Sequence, residues 1–135
     1  MPSKRRRPAG EPALPVLHEL ESEVMEDLWS HGESTVRDVL DRINKRTSRQ
    51  RAYTTYMTIM ARLHQKGVLD RRREGKTDLY VPRLNREDFM GSRAEAEVEQ
   101  LVAQYGDVAL SHFARQVASL DPARRRALQR LARKS

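Results

Sequence analysis

The sequence predicts a mainly α-helical fold: a winged helix-turn-helix, made of three helices and a two-stranded β wing, followed by a three-helix domain. Three observations support this prediction. Apolar residues recur with helical spacing in three segments before residue 67, the period changes to two between residues 68 and 82, and helical spacing returns after Asn85. The order of these patterns is more informative than any one of them.

The first three predicted helices have residues at their ends that favour helix boundaries. The first helix begins near Leu17 and ends before Gly32. Thr35 is predicted to cap the second helix together with Asp38, three residues later. The third covers residues 52–66, and a helical wheel predicts that its inward face consists of Tyr56, Ile59, Met60 and Leu63.

A β ribbon is predicted directly after the third helix. Residues 68–73 form the first strand, residues 74–76 a glycine-containing turn, and residues 79–81 the return strand, which ends at Pro82. This ribbon is the predicted wing.

Three further helices are predicted after residue 84. Asn85 caps a helix that extends to about Gln104, residues 108–117 form a second helix, and Asp121 followed by Pro122 begins the third. Their apolar stripes are too few for a full core within one chain, so the simplest expectation is that a second copy of the chain covers them. The predicted dimer-interface residues are Val98, Leu101, Val102, Leu110, Phe113, Val117, Leu128 and Leu131.

Length and composition limit the class of protein. The chain has 135 residues, a net charge of +7 and no cysteine, which excludes disulfides and thiolate metal sites. No apolar run approaches the roughly 20 residues of a spanning helix, and no export signal is visible, so we expect a cytoplasmic protein without membrane insertion. Residues 1–16 combine a basic cluster with four prolines and are predicted to be a disordered arm, either touching phosphate or without a specific role.

Charge is distributed unevenly along the chain. Between His18 and Asp41 one basic residue, Arg37, stands against eight acidic ones. Between Arg42 and Lys76 there are eleven basic residues and two acidic ones. Charge runs are usually solvated faces, but this basic segment coincides with the third helix and the ribbon, which favours a nucleic-acid partner. Residues 17–84 are therefore predicted to be a DNA-binding domain and residues 85–135 a dimerisation domain.

The third helix is the predicted recognition helix, because a helix-turn-helix inserts this element into the major groove. Threonine suits such a surface, since it can hydrogen-bond a base edge or touch a thymine methyl group. The alternative is that these threonines are only exposed polar residues of the helix. The predicted base contacts are Arg51, Thr54, Thr55 and Thr58. The predicted backbone contacts are Tyr53, Arg62, Gln65, Arg72, Arg73 and Lys76.

Other chemistry has little support in the sequence. The four histidines are widely spaced and lack the spacing typical of a metal site. No glycine-rich phosphate loop, nucleophile elbow or paired acidic motif is present. We therefore predict no enzyme activity, no metal and no cofactor.

Three segments resemble the BlaI/MecI/CopY family of winged-helix transcriptional repressors, the penicillinase-repressor type. Residues 20–29 (LESEVMEDLW) are similar to the family's first helix, residues 35–40 (TVRDVL) to its second, and residues 52–67 (AYTTYMTIMARLHQKG) to its recognition helix. The resemblance covers roughly residues 17–135. It implies a homodimer held by the C-terminal helices, with two winged helices on a palindromic operator.

The resemblance also implies a target and a mode of control. Family members typically repress genes for β-lactam resistance or copper handling, and the copper branch carries a cysteine motif that this chain lacks. In the resistance branch, a membrane sensor-protease pathway cuts the repressor before a phenylalanine in the dimerisation domain. The matching bond here is His112–Phe113, although the relatives have asparagine where this chain has His112. That Phe113 is only a core residue remains the alternative.

The predicted function is thus a dimeric, sequence-specific repressor of antibiotic-responsive genes, relieved by proteolysis. A basic architectural protein that coats DNA without choosing sites is one alternative, and a ligand-sensing winged-helix regulator is another. The sequence does not identify the operator, the regulated genes, the inducer or the role of the arm.

Overall fold

The computed structural model describes residues 14–134, which form six helices and one two-stranded antiparallel sheet. The elements in chain order are α1 (Glu19–His31), α2 (Val36–Arg46), α3 (Tyr53–Gln65), β1 (Leu69–Glu74), β2 (Thr77–Pro82), α4 (Arg86–Tyr105), α5 (Asp107–Ala118) and α6 (Pro122–Lys134). This order confirms the predicted fold class. The chain divides into two compact units, one ending at Ala94 and the other beginning at Glu95.

The core of the first unit is built from the inward faces of α1, α2 and α3. On α3 the predicted face is confirmed, because Tyr56, Met60 and Leu63 are fully buried and Ile59 packs against them. Burial of each large apolar side chain contributes about 1.5–3 kcal/mol, so this cluster is the main stabilising element of the unit. The other buried apolar residues are Val24, Met25, Leu28, Val36, Val39, Ile43, Val68, Leu69, Tyr80 and Phe89.

The predicted caps are present at three helix starts. At α2 the capping is reciprocal: Asp38 N donates to Thr35 Oγ1 and Thr35 N to Asp38 Oδ2, both at 3.0 Å. Asn85 accepts from the Asp88 amide at 2.7 Å, and Asp121 accepts from an amide in the first turn of α6. Each cap satisfies an amide that has no partner within the helix.

The wing has a shorter loop than predicted. Glu74 pairs with Thr77 at the end of the ladder, so Gly75 and Lys76 alone form the loop instead of residues 74–76. Gly75 has a φ of +63°, a conformation that favours glycine. β2 accordingly begins at Thr77, two residues before the predicted start of the return strand.

A backbone bridge that the sequence did not predict joins the wing to the segment between α1 and α2. Ser34 N donates to Tyr80 O at 3.0 Å, and Tyr80 N donates to Ser34 O at 2.8 Å. Tyr80 is 2% exposed. The wing is therefore fixed to the helical core by main-chain hydrogen bonds and by a buried aromatic side chain.

The first turns of α4 belong to the first compact unit. The Phe89 ring lies 5.5 Å from the Trp29 ring, and Trp29 Nε1 donates to the Leu84 carbonyl at 2.9 Å. The boundary between residues 94 and 95 separates the two compact units. The boundary between a DNA-binding and a dimerisation domain, after residue 84, remains a prediction. Within the predicted arm, residues 1–13 lie outside the described part, and Leu14 packs against the core.

The second unit lacks a core within its described residues. No side chain of α5 or α6 is buried, and the apolar residues of the last turns of α4 are at least partly exposed. Within residues 14–134 no helix is both long enough and apolar enough to cross a membrane.

Candidate nucleic-acid interface

The outward face of α3 carries the predicted base-contacting threonines. Thr54, Thr55 and Thr58 are all exposed, whereas Tyr56 and Met60 on the opposite side are fully buried. Because the buried face fixes the rotation of the helix about its axis, the threonines are held facing outward. Arg62 and Gln65 are exposed further along the same helix.

Asn44 holds the turn before α3, a role that the sequence analysis missed. Its amide group donates to the Arg51 carbonyl at 2.9 Å and its oxygen accepts from the Arg51 amide at 3.2 Å. The same oxygen accepts from the Tyr56 hydroxyl at 2.8 Å. One side chain of α2 therefore fixes both the chain entering α3 and a buried residue of α3.

The side chain of Arg51 does not join the threonine face in this structure. Its guanidinium lies 3.1 Å from Glu23 on α1, and the side chain is only 13% exposed. The predicted base contact at Arg51 thus requires the guanidinium to leave this carboxylate.

A buried carboxylate ties α1 to α2. Asp27 is fully buried and accepts from Arg42 Nη2 at 2.7 Å and from Arg46 Nη1 at 2.9 Å. Arg42 Nη2 also donates to Ser34 Oγ at 2.8 Å, beside the bridge that anchors the wing. This network connects the first two helices with the base of the wing.

A second buried carboxylate connects α1 with the end of α3. Glu21 is 1% exposed and accepts from Lys66 Nζ at 2.9 Å and from the His18 amide at 3.1 Å. Burial raises the pKa of Glu21, but the hydrogen bonds from Lys66 and His18 outweigh it, and the net pKa lies below the ordinary value of 4.5.

The wing carries fewer unpaired charges than its sequence suggests. Arg72 donates to both oxygens of Glu33 at 2.7 Å and to Glu74 at 2.9 Å. The Glu33 carboxylate is the main cause of an Arg72 pKa above its ordinary value. Arg73 lies 3.8 Å from Asp78. Lys76, at the wing tip, is exposed and forms no ion pair within the described residues.

The charge swing along the sequence is partly an internal pairing pattern. Six of the eleven basic residues between positions 42 and 76 form ion pairs with carboxylates of the first unit: Arg42, Arg46, Arg51, Lys66, Arg72 and Arg73. The other five form no ion pair within the described residues, although the Arg71 guanidinium interacts with the Tyr80 hydroxyl; they are Lys45, Arg49, Arg62, Arg71 and Lys76.

Comparison with known proteins identifies the family. The sequence matches the family described as penicillinase repressor over residues 17–134. The chain belongs to the penicillinase repressor family. It is 35% identical over 118 residues to the transcriptional regulator BlaI of Mycobacterium tuberculosis, covering 85% of this chain and 84% of that protein. It is 27% identical over 77 residues to the penicillinase repressor of Bacillus licheniformis, covering 57% and 59%.

Two solved structures are similar to part of this family member. The DNA-binding domain of the repressor BlaI matches with 28% identity and a TM-score of 0.49. Monomeric Bacillus licheniformis BlaI in complex with the blaP half-operator matches with 28% identity and a TM-score of 0.47. Each match covers 56% of this chain and 89% of the other.

Family membership confirms the predicted class of function. The family is described as penicillinase repressor and the Mycobacterium tuberculosis relative is a transcriptional regulator, so this is a family of transcriptional repressors and not of enzymes. The described residues of this repressor also contain no group of three His, Asp or Glu side chains that is able to hold a metal ion.

The predicted dimer-interface residues of this repressor lie on the surface of the single chain. Phe113 is 42% exposed, Leu131 is 64% exposed, and Val102 is half-buried. His112, at the predicted cleavage site, is exposed in the middle of α5. The other predicted interface residues are exposed as well: Val98, Leu101, Leu110, Val117 and Leu128.

Proposed function

We propose that this penicillinase-repressor family protein binds a palindromic operator in the cytoplasm as a homodimer and represses genes that respond to β-lactam antibiotics. The observation that carries the proposal is the outward threonine strip of α3, formed by Thr54, Thr55 and Thr58 and held in place by buried side chains on the opposite face of the helix. The name of the Bacillus licheniformis relative, penicillinase repressor, supports the choice of target genes.

In this proposal the residues of the first unit divide their roles. Thr54, Thr55 and Thr58 read base edges, because they are exposed, small and able to donate and accept. Tyr53, Arg62, Gln65, Arg73 and Lys76 contact the sugar-phosphate backbone, which adds affinity with little sequence information. Arg51 and Arg72 join these contacts by exchanging Glu23 and Glu33 for groups of the DNA.

Dimerisation is assigned to the second unit because none of its described side chains is fully buried in the single chain. Eight predicted interface side chains are exposed or half-buried in the single chain. A second copy that covers them supplies about 1.5–3 kcal/mol for each large apolar side chain that becomes fully buried. Joining two half-site binders in one molecule raises the affinity for a palindrome without any new DNA contact.

Relief of repression is assigned to cleavage of the His112–Phe113 bond. The exposed position of both residues on α5 supports access by a protease. The helix must first open locally, because a protease binds its substrate in an extended conformation. Cleavage removes Phe113 and everything after it, including Val117, Leu128 and Leu131, from the dimer interface.

The decisive experiment is selection of bound fragments from the source genome by the full chain. The expected result is enrichment of a short palindrome. Thr58→Ala should lower the discrimination between this palindrome and random DNA by about 1–3 kcal/mol. Thr77→Ala, an exposed threonine of the wing, is the matched control. Binding without enrichment would replace this proposal with an architectural DNA-coating role.

The control mechanism has its own test. Cells of the source organism are exposed to a β-lactam, and the repressor is followed by intact-mass spectrometry. We expect a fragment that ends at His112. Derepression with an intact chain would refute cleavage while leaving the DNA-binding proposal standing.

A further inference from the structure

One arginine outside the basic segment is held beside the recognition helix. The Arg37 guanidinium carbon lies 4.9 Å from the centroid of the Tyr53 ring. Arg37 is the one Lys or Arg residue between His18 and Asp41. The Arg37 side chain forms no ion pair and no hydrogen bond within the described part of the chain, although residues 18–41 include eight acidic residues.

The fold places these two side chains together through the burial of their neighbours. Val36 and Val39 are buried on α2, which leaves Arg37 on the exposed side of that helix. On α3, burial of Tyr56 places Tyr53 at the rim of the buried face, where it is 40% exposed. The contact is therefore formed at the surface, at the edge of the threonine strip.

The two sides of α3 present one unpaired arginine each. On a wheel of 3.6 residues per turn, Tyr53 and Arg62 lie about 180° apart and flank Thr54 and Thr58 on opposite sides. Arg62 is exposed and forms no ion pair within residues 14–134. The major groove is about 12 Å wide and has a phosphate backbone along each edge. A helix inserted there meets one backbone on each side.

We infer that Arg37, held on the ring of Tyr53, binds a DNA backbone phosphate at one edge of the major groove while Arg62 faces the opposite edge. The inference rests on the proposed DNA-binding function and adds a contact that charge counting along the sequence missed. A cation–π contact with the ring leaves guanidinium N–H groups available to phosphate oxygens. The ring also restricts the arginine before DNA arrives, so less freedom is lost on binding.

The test measures how the affinity of the full chain for a 30-base-pair duplex of mixed sequence depends on salt. Because a phosphate contact is independent of sequence, no operator is needed. Arg37→Ala should flatten the plot of log K against log salt by about 0.9. Its loss of affinity should therefore be about threefold larger at 50 mM than at 200 mM salt. Arg86→Ala, which removes the same charge from an arginine paired with Glu26, should leave the slope unchanged.

A double-mutant comparison tests the role of the ring. In a Tyr53→Leu background, Arg37→Ala should lose less affinity than in the wild type, whereas Tyr53→Phe should preserve the full effect. An unchanged slope for Arg37→Ala overturns the phosphate contact. An equal loss in the Tyr53→Leu background overturns the positioning by the ring. Failure of the wild-type chain to bind the duplex refutes the proposed function itself, so the failures are distinguishable.

Discussion

Replacing Asp27 with alanine should destabilise the first unit more than the loss of any surface ion pair. The Asp27 side chain is fully buried, and its oxygens accept from Arg42 at 2.7 and 3.0 Å and from Arg46 at 2.9 Å. Removing the carboxylate leaves the Arg42 guanidinium, which is 26% exposed, without its charge partner. A largely covered guanidinium with only Ser34 Oγ as acceptor is costly.

The size of the loss in unfolding free energy follows from how deeply Asp27 and its two arginine partners are buried. Breaking a buried pair by removing one partner costs about 3–5 kcal/mol. Since Arg46 is 49% exposed and is able to turn toward water, we expect a loss near the lower end, about 3 kcal/mol. For a unit of this size, each kcal/mol lowers the melting temperature by about 4–8 °C. Asp27→Ala should therefore lower it by at least about 12 °C.

Urea unfolding followed by tryptophan fluorescence measures this loss in the correct part of the molecule. The chain has one tryptophan, Trp29, which packs against Phe89 within the first unit. Glu26→Gln is the control, because it removes the next carboxylate of the same helix from an exposed pair with Arg86. That change should cost no more than about 1 kcal/mol.

The network also predicts non-additivity. Removing Arg42 together with Asp27 eliminates both charges, so the double variant should be more stable than the sum of the two single losses implies. A loss below about 1 kcal/mol for Asp27→Ala, equal to that of Glu26→Gln, would show that the buried carboxylate is not structurally important.

Three further predictions concern acid stability, the wing and the domain boundary. The pKa of Glu21 is lowered in the folded state, so the Glu21 carboxylate stabilises the fold fully above pH 4.5, and this stabilisation is lost as pH falls through the lower folded pKa. Glu21→Gln should therefore make the free energy of unfolding depend less on pH in acid. Glu33→Gln should strengthen binding to any DNA by releasing Arg72, measured by fluorescence anisotropy. Fragments 1–84 and 1–94 should both sediment as monomers, but only the longer retains Phe89 and should be the more stable.

Each of these predictions has a result that contradicts it. For Glu21, a difference from wild type that stays constant between about pH 7 and pH 3 would exclude the proposed ionisation. For Glu33, weaker binding of the Gln variant would mean that the ion pair orients the wing; an accompanying Arg72→Ala variant separates orientation from charge. A tight dimer of either fragment would place the dimer interface in the first unit.

Local features of the fold could be predicted from the sequence, whereas partners distant in sequence could not. Thr35 and Asn85 act within one turn of their helices, so their roles follow from neighbouring residues. The Ser34–Tyr80 bridge joins backbone groups 46 residues apart, and no side-chain pattern indicates it. Asn44 was missed for the same reason, since an asparagine near a helix end is common and its three hydrogen bonds depend on the packing of α2 against α3.

The same limit explains the charged residues of the candidate interface. The sequence shows how many cations lie in a segment, but only the fold decides which of them meet a carboxylate. Arg51 and Arg72 were predicted to contact DNA, and the structure places each against a glutamate of a preceding segment. In the sequence Arg37 is the one basic residue of an acidic segment, and the fold places its guanidinium beside Tyr53 at the edge of α3.

Internal pairing changes what the charge of this protein implies for binding. If all eleven basic residues between Arg42 and Lys76 contacted phosphates, the salt dependence would have a slope near −10 for each protomer, at about −0.9 per contact. Six of them are in ion pairs, so five remain, and with Arg37 these six cations give a slope near −5 if every ion pair persists on DNA. The DNA contacts proposed for Arg51, Arg72 and Arg73 add three, which predicts a slope near −8, at about −0.9 per contact. A measured slope near −5 would contradict the exchange of Glu23 and Glu33 for DNA. A slope of about −10 or steeper would mean that DNA also displaces the buried carboxylates from their arginines, and that affinity depends on the total charge of the segment rather than on where its cations lie around α3.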